Sequence, residues 1–290
     1  MAETPDPGGG GRDLIDGLAD IVGSPVELEV LRSKPNRRRT LRARGPERTA
    51  IVKQYASDRA KVVARRVAAL AAGPAEPLVP SVLHFDRESH TVVLSEIPGR
   101  PLRHALLFRE LGACRRAGAA LGTWHAAWTG TAPDGLSEHT AAREIDIISL
   151  LLEDTSPPIA RAVSDALPIL SGAWRCTTVV HRDLHEEKIL IGGLVGLIDL
   201  DDAALGPPEL DMGNLVAHLE LLERRRRVSL VAAARALFDG YDQTGPALDR
   251  PLLNRCRALT LLRLACLNDD LRLARAALLD RVWIKPRAFR

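Results

Sequence analysis

Val179-Val180-His181-Arg182-Asp183-Leu184, followed by Leu197-Ile198-Asp199-Leu200-Asp201-Asp202, is the stretch whose reading decides this chain. Each run is a short apolar strand that ends by presenting an aspartate. Between them, Ile189-Leu190-Ile191, the Gly192-Gly193 turn and Leu194-Val195-Gly196-Leu197 predict a β-hairpin. The two carboxylates are therefore expected at one place. Such a pair suits phosphoryl transfer: one group orients a hydroxyl nucleophile, and the other holds the Mg²⁺ that neutralises nucleotide phosphates.

Working outward toward the N-terminus, the Pro/Gly-rich residues 1–12 predict a disordered tail, because that composition cannot offset its ordering entropy. A short helix is expected over 13–22, closed by Gly23. Val26, Leu28 and Val30 alternate with Glu27 and Glu29, the period of a half-buried strand. A basic turn over 33–39 leads to strands at 40–44 and 49–55. A helix capped by Ser57 or Asp58 runs to about Ala72 and stops at Gly73-Pro74. Strands near 81–85 and 91–96 complete an antiparallel sheet with one helix, and Pro98-Gly99-Arg100-Pro101 breaks the pattern. The rest reads as helices at 111–128, 141–153, 158–171, 208–223, 228–241 and 248–279, the last broken, around the two aspartate strands.

The totals set limits. The 290 residues are 46% hydrophobic and 27% charged, enough for a large core and a solvated surface. A net charge of +3 is no nucleic-acid footprint. Lysine occurs only at Lys34, Lys53, Lys61, Lys188 and Lys285, so each is an uncommon choice. Cys114, Cys176, Cys256 and Cys266 show no zinc-like or C-x-x-C spacing and read as reduced thiols. With no signal peptide or apolar run of about 20 residues, a cytoplasmic protein without a membrane partner is expected.

The V-V-H-R-D-L and I-D-L-D-D segments resemble the catalytic and metal-binding segments of the aminoglycoside phosphotransferase and choline kinase type of small-molecule kinase. Leu121-Gly122-Thr123-Trp124-His125 is similar to the L-x-x-L-H helix of those enzymes, and Pro208-Glu209-Leu210-Asp211 to their P-x-x-D segment. The resemblance spans roughly residues 25–270. It implies an α+β, bilobal protein-kinase-like fold: a β-rich nucleotide-binding lobe over 13–96 and a mainly helical lobe over 97–290. It implies Asp183 as the catalytic residue, Asp199 as the Mg²⁺ ligand and Lys53 as the contact to nucleotide phosphates. Glu96 and Ile97 would meet the nucleotide base through their backbone, and Asp211 would support the catalytic loop. ATP or GTP with Mg²⁺ would be the cofactors, and a hydroxyl of an aminoglycoside, sugar or amino alcohol the acceptor.

The chain departs from that pattern at three points. Lys188 stands five residues after Asp183, where the family carries a metal-binding Asn. A charged ammonium has no lone pair for Mg²⁺, but it can pair with Asp183, Asp199 or a phosphate, while Glu186 or Glu187 supplies the missing ligand. The helix after Asp58 has no glutamate to pair with Lys53, and the turn at 33–39 has no glycine. Two further readings therefore stand beside the small-molecule kinase. One is a pseudokinase that binds a protein partner without turnover. The other is a kinase-like enzyme acting on Ser or Thr of a peptide.

Overall fold

The computed structural model describes residues 10–279. Residues 1–9 of the expected tail lie outside the described residues, and the first helix, α1 (Gly10–Val22), begins inside it. Two compact units result. One holds the described residues up to Ala72 together with Val79–Ile97, and the other holds Gly73–Leu78 and the described residues from Pro98 on.

The first unit is built on a five-stranded antiparallel sheet in the order β1-β2-β3-β5-β4. Its strands are β1 (Glu27–Lys34), β2 (Arg38–Arg44), β3 (Thr49–Tyr55), β4 (Val82–Asp86) and β5 (Thr91–Ser95), with helix α2 (Arg59–Leu70) between β3 and β4. Alternation puts Leu41 and Ala43 of β2 and Ala50 and Val52 of β3 on one face, where Leu18 and Val22 of α1 cover them. β1 departs from the half-buried strand expected there, for Leu28, Val30 and Leu31 are all at least 39% exposed. Among the described residues it is the sheet edge, paired with β2 alone, and its register shifts between Val30 and Arg32. Such an irregularity discourages further strand pairing. The expected basic turn is also tighter, because β1 and β2 extend into it and leave a turn at 35–37 with Asn36 at φ 56°.

The second unit begins with a strap. Leu78 donates its N–H to Val195 and accepts from Leu197 (both 2.8 Å), while Glu76 Oε1 accepts from the Val195 N–H at 2.7 Å. These bonds hold the strap to β9 (Val195–Leu197), which forms the expected hairpin with β8 (Ile189–Ile191). The Pro98–Pro101 segment, read from sequence as a break, contributes β6 (Arg100–Pro101) beside β8 and leads into a short helix α3 (Leu102–Leu107). A second small ladder pairs β7 (Thr178–Val180) with β10 (Ala204–Gly206).

The helices are α4 (Leu111–Ala127), α5 (Ala141–Leu151), α6 (Pro157–Ala166), α7 (Pro208–Arg226), α8 (Val231–Thr244), α9 (Arg250–Asn268) and α10 (Leu271–Ala277). Ile148, Val163, Leu259, Leu262 and Leu273 make the core among α5, α6, α9 and α10. Arg257 of α9 forms a buried two-pronged ion pair with Glu220 of α7 and donates to the Leu279 and Ala276 carbonyls. No helix among the described residues is long and apolar enough to cross a membrane.

The tightest packing is between α4 and α8, where Gly118 lies on the Leu237 carbonyl and Gly240 on the Arg115 carbonyl. A Cβ at either position would overlap that oxygen. Gly118→Ala should therefore cost about 2 kcal/mol or more of stability through forced backbone shifts. Gly112→Ala, on the same helix with nothing within 4 Å of the added carbon, should cost nothing. Denaturant midpoints of the two variants check this; equal midpoints would refute the close-packing argument.

Candidate active site

The site is assembled around α7. Asp211, in its first turn, is fully buried. One carboxylate oxygen accepts the His181 backbone N–H at 2.7 Å, and the other accepts that of Arg182 at 2.9 Å. One turn further along the same face, Asn214 donates its side-chain amide to the Arg182 carbonyl at 2.6 Å. The Arg182 residue is thus gripped at both its N–H and its C=O, which holds it at φ 74°, a left-handed conformation costly for any residue with a Cβ. Asp183 follows directly, half-buried, and its carboxylate takes no hydrogen bond from a described residue.

Asp211 is itself held. His125 Nε2 lies 3.2 Å from its Oδ2, and His125 Nδ1 lies 2.8 Å from the Tyr241 hydroxyl of α8. With the Nε2 proton on the carboxylate, Nδ1 accepts from the tyrosine. Thr178 donates to the His125 carbonyl (2.7 Å) and Trp124 Nε1 to that of Val179 (3.1 Å), fastening β7 to α4. Trp124 and Trp128 are core residues in edge-on contact.

The second aspartate is tied to the same loop through Ile198. Its N–H donates to the Lys188 carbonyl at 3.0 Å, and its C=O accepts from His181 Nε2 at 2.8 Å. Asp199 follows at φ 66°, and the Lys188 ammonium binds its Oδ2 directly. Of the partners open to Lys188 in the sequence, the structure pairs it with Asp199. Asp202 faces Arg182 at 3.9 Å, and Asp201 is buried. Glu187, a candidate replacement ligand, is ion-paired to Arg103 at 2.8 Å.

Among the described residues, Asp199 belongs to no group of three His, Cys, Asp or Glu side chains close enough to cage a metal. A cation there would draw its other ligands from phosphate oxygens and water, the ordinary magnesium shell. The donor set fits Mg²⁺ carried in with a nucleotide.

In the sheet unit, Lys53 of β3 is 5% exposed, opposite Thr40 and Val92. Helix α2 carries no acidic side chain. The Glu96 carboxylate accepts from Arg42 Nε at 2.7 Å, so its side chain is engaged within the unit. Ile97 ends that unit. Arg38 lies over the Tyr55 ring at 6.0 Å, while Arg37 and Arg39 are exposed.

The fold is the α+β arrangement of protein-kinase-like enzymes. Residues 29–252 match the phosphotransferase enzyme family, and the chain belongs to that family. Macrolide 2'-phosphotransferase MphH from Brachybacterium faecium is similar in structure, with 17% identity over 96% of this chain and 99% of that one and a TM-score of 0.57. Choline kinase LicA from Streptococcus pneumoniae gives 16%, 92%, 96% and 0.62 for the same measures. An amicoumacin kinase, hAmiN, solved with AMP-PNP, Ca²⁺ and Ami, gives 13%, 93%, 93% and 0.66. No curated protein matches the sequence.

Sequence reasoning passed over Asn214, His218 and Tyr241. Asp211, Asn214 and His218 are spaced i, i+3 and i+7, one helix face, so the signal was present. The link from His125 to Tyr241 spans 116 residues and has no local signal.

Asp211→Ala leaves two loop amides and an imidazole without their acceptor, so a loss of about 3 kcal/mol is expected in urea unfolding. A loss below about 0.5 kcal/mol would mean the loop is held elsewhere. A second expectation concerns pH. Burial, and then the Lys188 charge, push the His185 imidazole down to about 4. The unfolded chain titrates near its usual ~6.5, so protons bind the unfolded state first. Stability is whole above pH ~6.5 and falls toward pH ~4, by at most about 3 kcal/mol from this group. Urea midpoints across that window should show a shallower slope in His185→Gln.

Proposed function

We propose that the chain transfers the γ-phosphate of ATP or GTP to a hydroxyl of a small molecule. The observation that supports this reading is the clamp on the Asp183 loop, together with the tie through Ile198 that joins the Asp199 segment to the same loop. Phosphoryl transfer passes through a loose transition state, so positioning matters more than base strength. Asp183 orients the acceptor hydroxyl and takes its proton as the oxygen–phosphorus bond forms. Asp199 holds Mg²⁺, which neutralises phosphate charge when bound. Lys53 contacts the nucleotide phosphates, and the backbone of Glu96 and Ile97 contacts the base. Lys188 keeps Asp199 oriented and contributes a second positive charge.

On this reading the acceptor approaches Asp183 past a cavity of about 580 Å³ in the helical unit, lined by loop residues His185, Glu186 and Glu187 and by Arg103, Arg225 and Arg226. Its cationic side chains support a sugar, or another acceptor without multiple positive charges, over a polycationic aminoglycoside. The Lys188–Asp199 ion pair favours the second reading, a nucleotide-binding module without turnover, because it occupies one oxygen of the metal ligand.

Calorimetry with ATP and GTP, each with Mg²⁺ and with chelator, separates the two. Mg²⁺-dependent binding supports the enzyme; binding indifferent to Mg²⁺, with no product across an acceptor panel, supports the module. In the enzyme, Asp183→Ala should lower kcat by roughly 10²–10⁴ while nucleotide affinity stays unchanged. An undiminished kcat in that variant would sink the mechanism.

A further inference from the structure

Two residues of the Asp183 loop, His185 and Glu186, touch neither Asp183 nor Asp199 through a hydrogen bond, and they meet a third on α7. The imidazole rings of His185 and His218 stack with centroids 4.8 Å apart and planes 21° from parallel. Glu186 lies beside them, 9% exposed, and its Oε2 is buried without a hydrogen-bond partner among the described residues. The nearest ring nitrogen, His185 Nδ1, is 4.0 Å from that oxygen. One nitrogen from each ring and one Glu186 oxygen all lie within 4.8 Å of one another. Among the described residues, no other group of three His, Cys, Asp or Glu side chains comes together this closely.

An orphaned carboxylate oxygen in a buried position is costly and calls for a donor or a cation. The neighbouring cations are committed elsewhere. Arg103 pairs with Glu187, Arg225 donates to Asn268 at 2.5 Å, and Lys188 pairs with Asp199. The rings cannot serve as the cation either. Burial, with the Lys188 charge next for His185 and the His185 ring next for His218, disfavours protonation of both, and the His185 Nδ1 lone pair that accepts the Glu187 N–H at 3.3 Å would exchange that bond for a metal.

Two imidazoles and a carboxylate match the ligand preferences of Zn²⁺ and related ions and are a poor match for Mg²⁺ or Ca²⁺, which take oxygen. A tetrahedral centre with bonds of ~2.0–2.1 Å needs ligand atoms about 3.3 Å apart. Ligation therefore requires side-chain rotation that unstacks the two rings and closes the present separations to that value. The adjoining cavity of about 580 Å³ leaves room for a water as fourth ligand. The nearby positive charges of Arg225, Arg263 and Lys188 oppose a dication, so the affinity is expected to fall below that of an isolated site of the same ligands.

We propose that His185, Glu186 and His218 form a binding site for a transition-metal dication of the Zn²⁺ class, separate from Asp199, that ties the Asp183 loop to α7. The inference is independent of phosphotransfer. It is tested on the untagged full chain, stripped with chelator and free of nucleotide, by titrating Co²⁺ and reading its visible absorption. The expected result is one equivalent of Co²⁺ with the intense bands of a four-coordinate ion, displaced by Zn²⁺ and not by millimolar Mg²⁺. His218→Gln and Glu186→Gln should each weaken binding at least tenfold. His84→Gln, at an exposed position of the sheet unit, should not. Circular dichroism of the metal-free variants confirms that they fold; if His218→Gln does not, Glu186→Gln decides. No absorption at millimolar Co²⁺, or unchanged affinity in the folded variants, would overturn the proposal.

Discussion

The buried carboxylate of Asp211 is the constraint on which the rest of the site depends. It sits near the N-terminus of α7, where the helix dipole favours negative charge. Two backbone amides and an imidazole surround it, the kind of partnering a buried charge requires. Through those bonds a single side chain joins α7, the Asp183 loop and α4, and His125 extends the connection to Tyr241 on α8. The glycine contacts between α4 and α8 serve the same end, since they bring the Tyr241 hydroxyl within reach of His125. Asp183 can stand without a hydrogen bond to its carboxylate from any described residue because its neighbours are so thoroughly held.

Charge pairing gives the second half of the site a different character. Asp199 emerges in a left-handed conformation with an ammonium on one oxygen. A lysine cannot ligate a metal while charged, but it can hold a carboxylate still. The same residue that departs from the family pattern therefore orders the aspartate that conforms to it. On the same loop, Glu187 is neutralised by Arg103, while Glu186 retains an unpaired oxygen.

Local patterns in the sequence carried much of this architecture. The β8–β9 hairpin, strand β3, helix α2 and the long helices were legible because turn residues, alternation and helical spacing are short-range signals. β1 was legible as a strand but not as an edge, because alternation reports which residues are apolar and not whether anything covers them. Short elements such as β6 and α3 were hidden, their form set by pairing with distant chain. At the candidate site, Asp183, Asp199 and Asp211 stand in motifs that the sequence displays, and their roles are proposals. Their partners, among them Tyr241 and His218, belong to separations that only tertiary structure closes. The choice of Asp199 as the partner of Lys188 likewise needed coordinates.

The strap at Gly73–Leu78 bears on how the chain can be divided. Although it lies between α2 and β4 in sequence, its backbone bonds are to β9, far along the helical unit. The polypeptide thus leaves the sheet unit, adds an edge to the β8–β9 hairpin, and returns before crossing for good at Pro98. A fragment ending at Ile97 would carry a strap with no strand to bind, and the complementary fragment would bare the β9 backbone groups that Leu78 satisfies. Neither half is an autonomous module in the sense of a domain joined by a linker. Gene fusions or truncations that treat residue 97 as a clean boundary would cut through one hydrogen-bonded ladder.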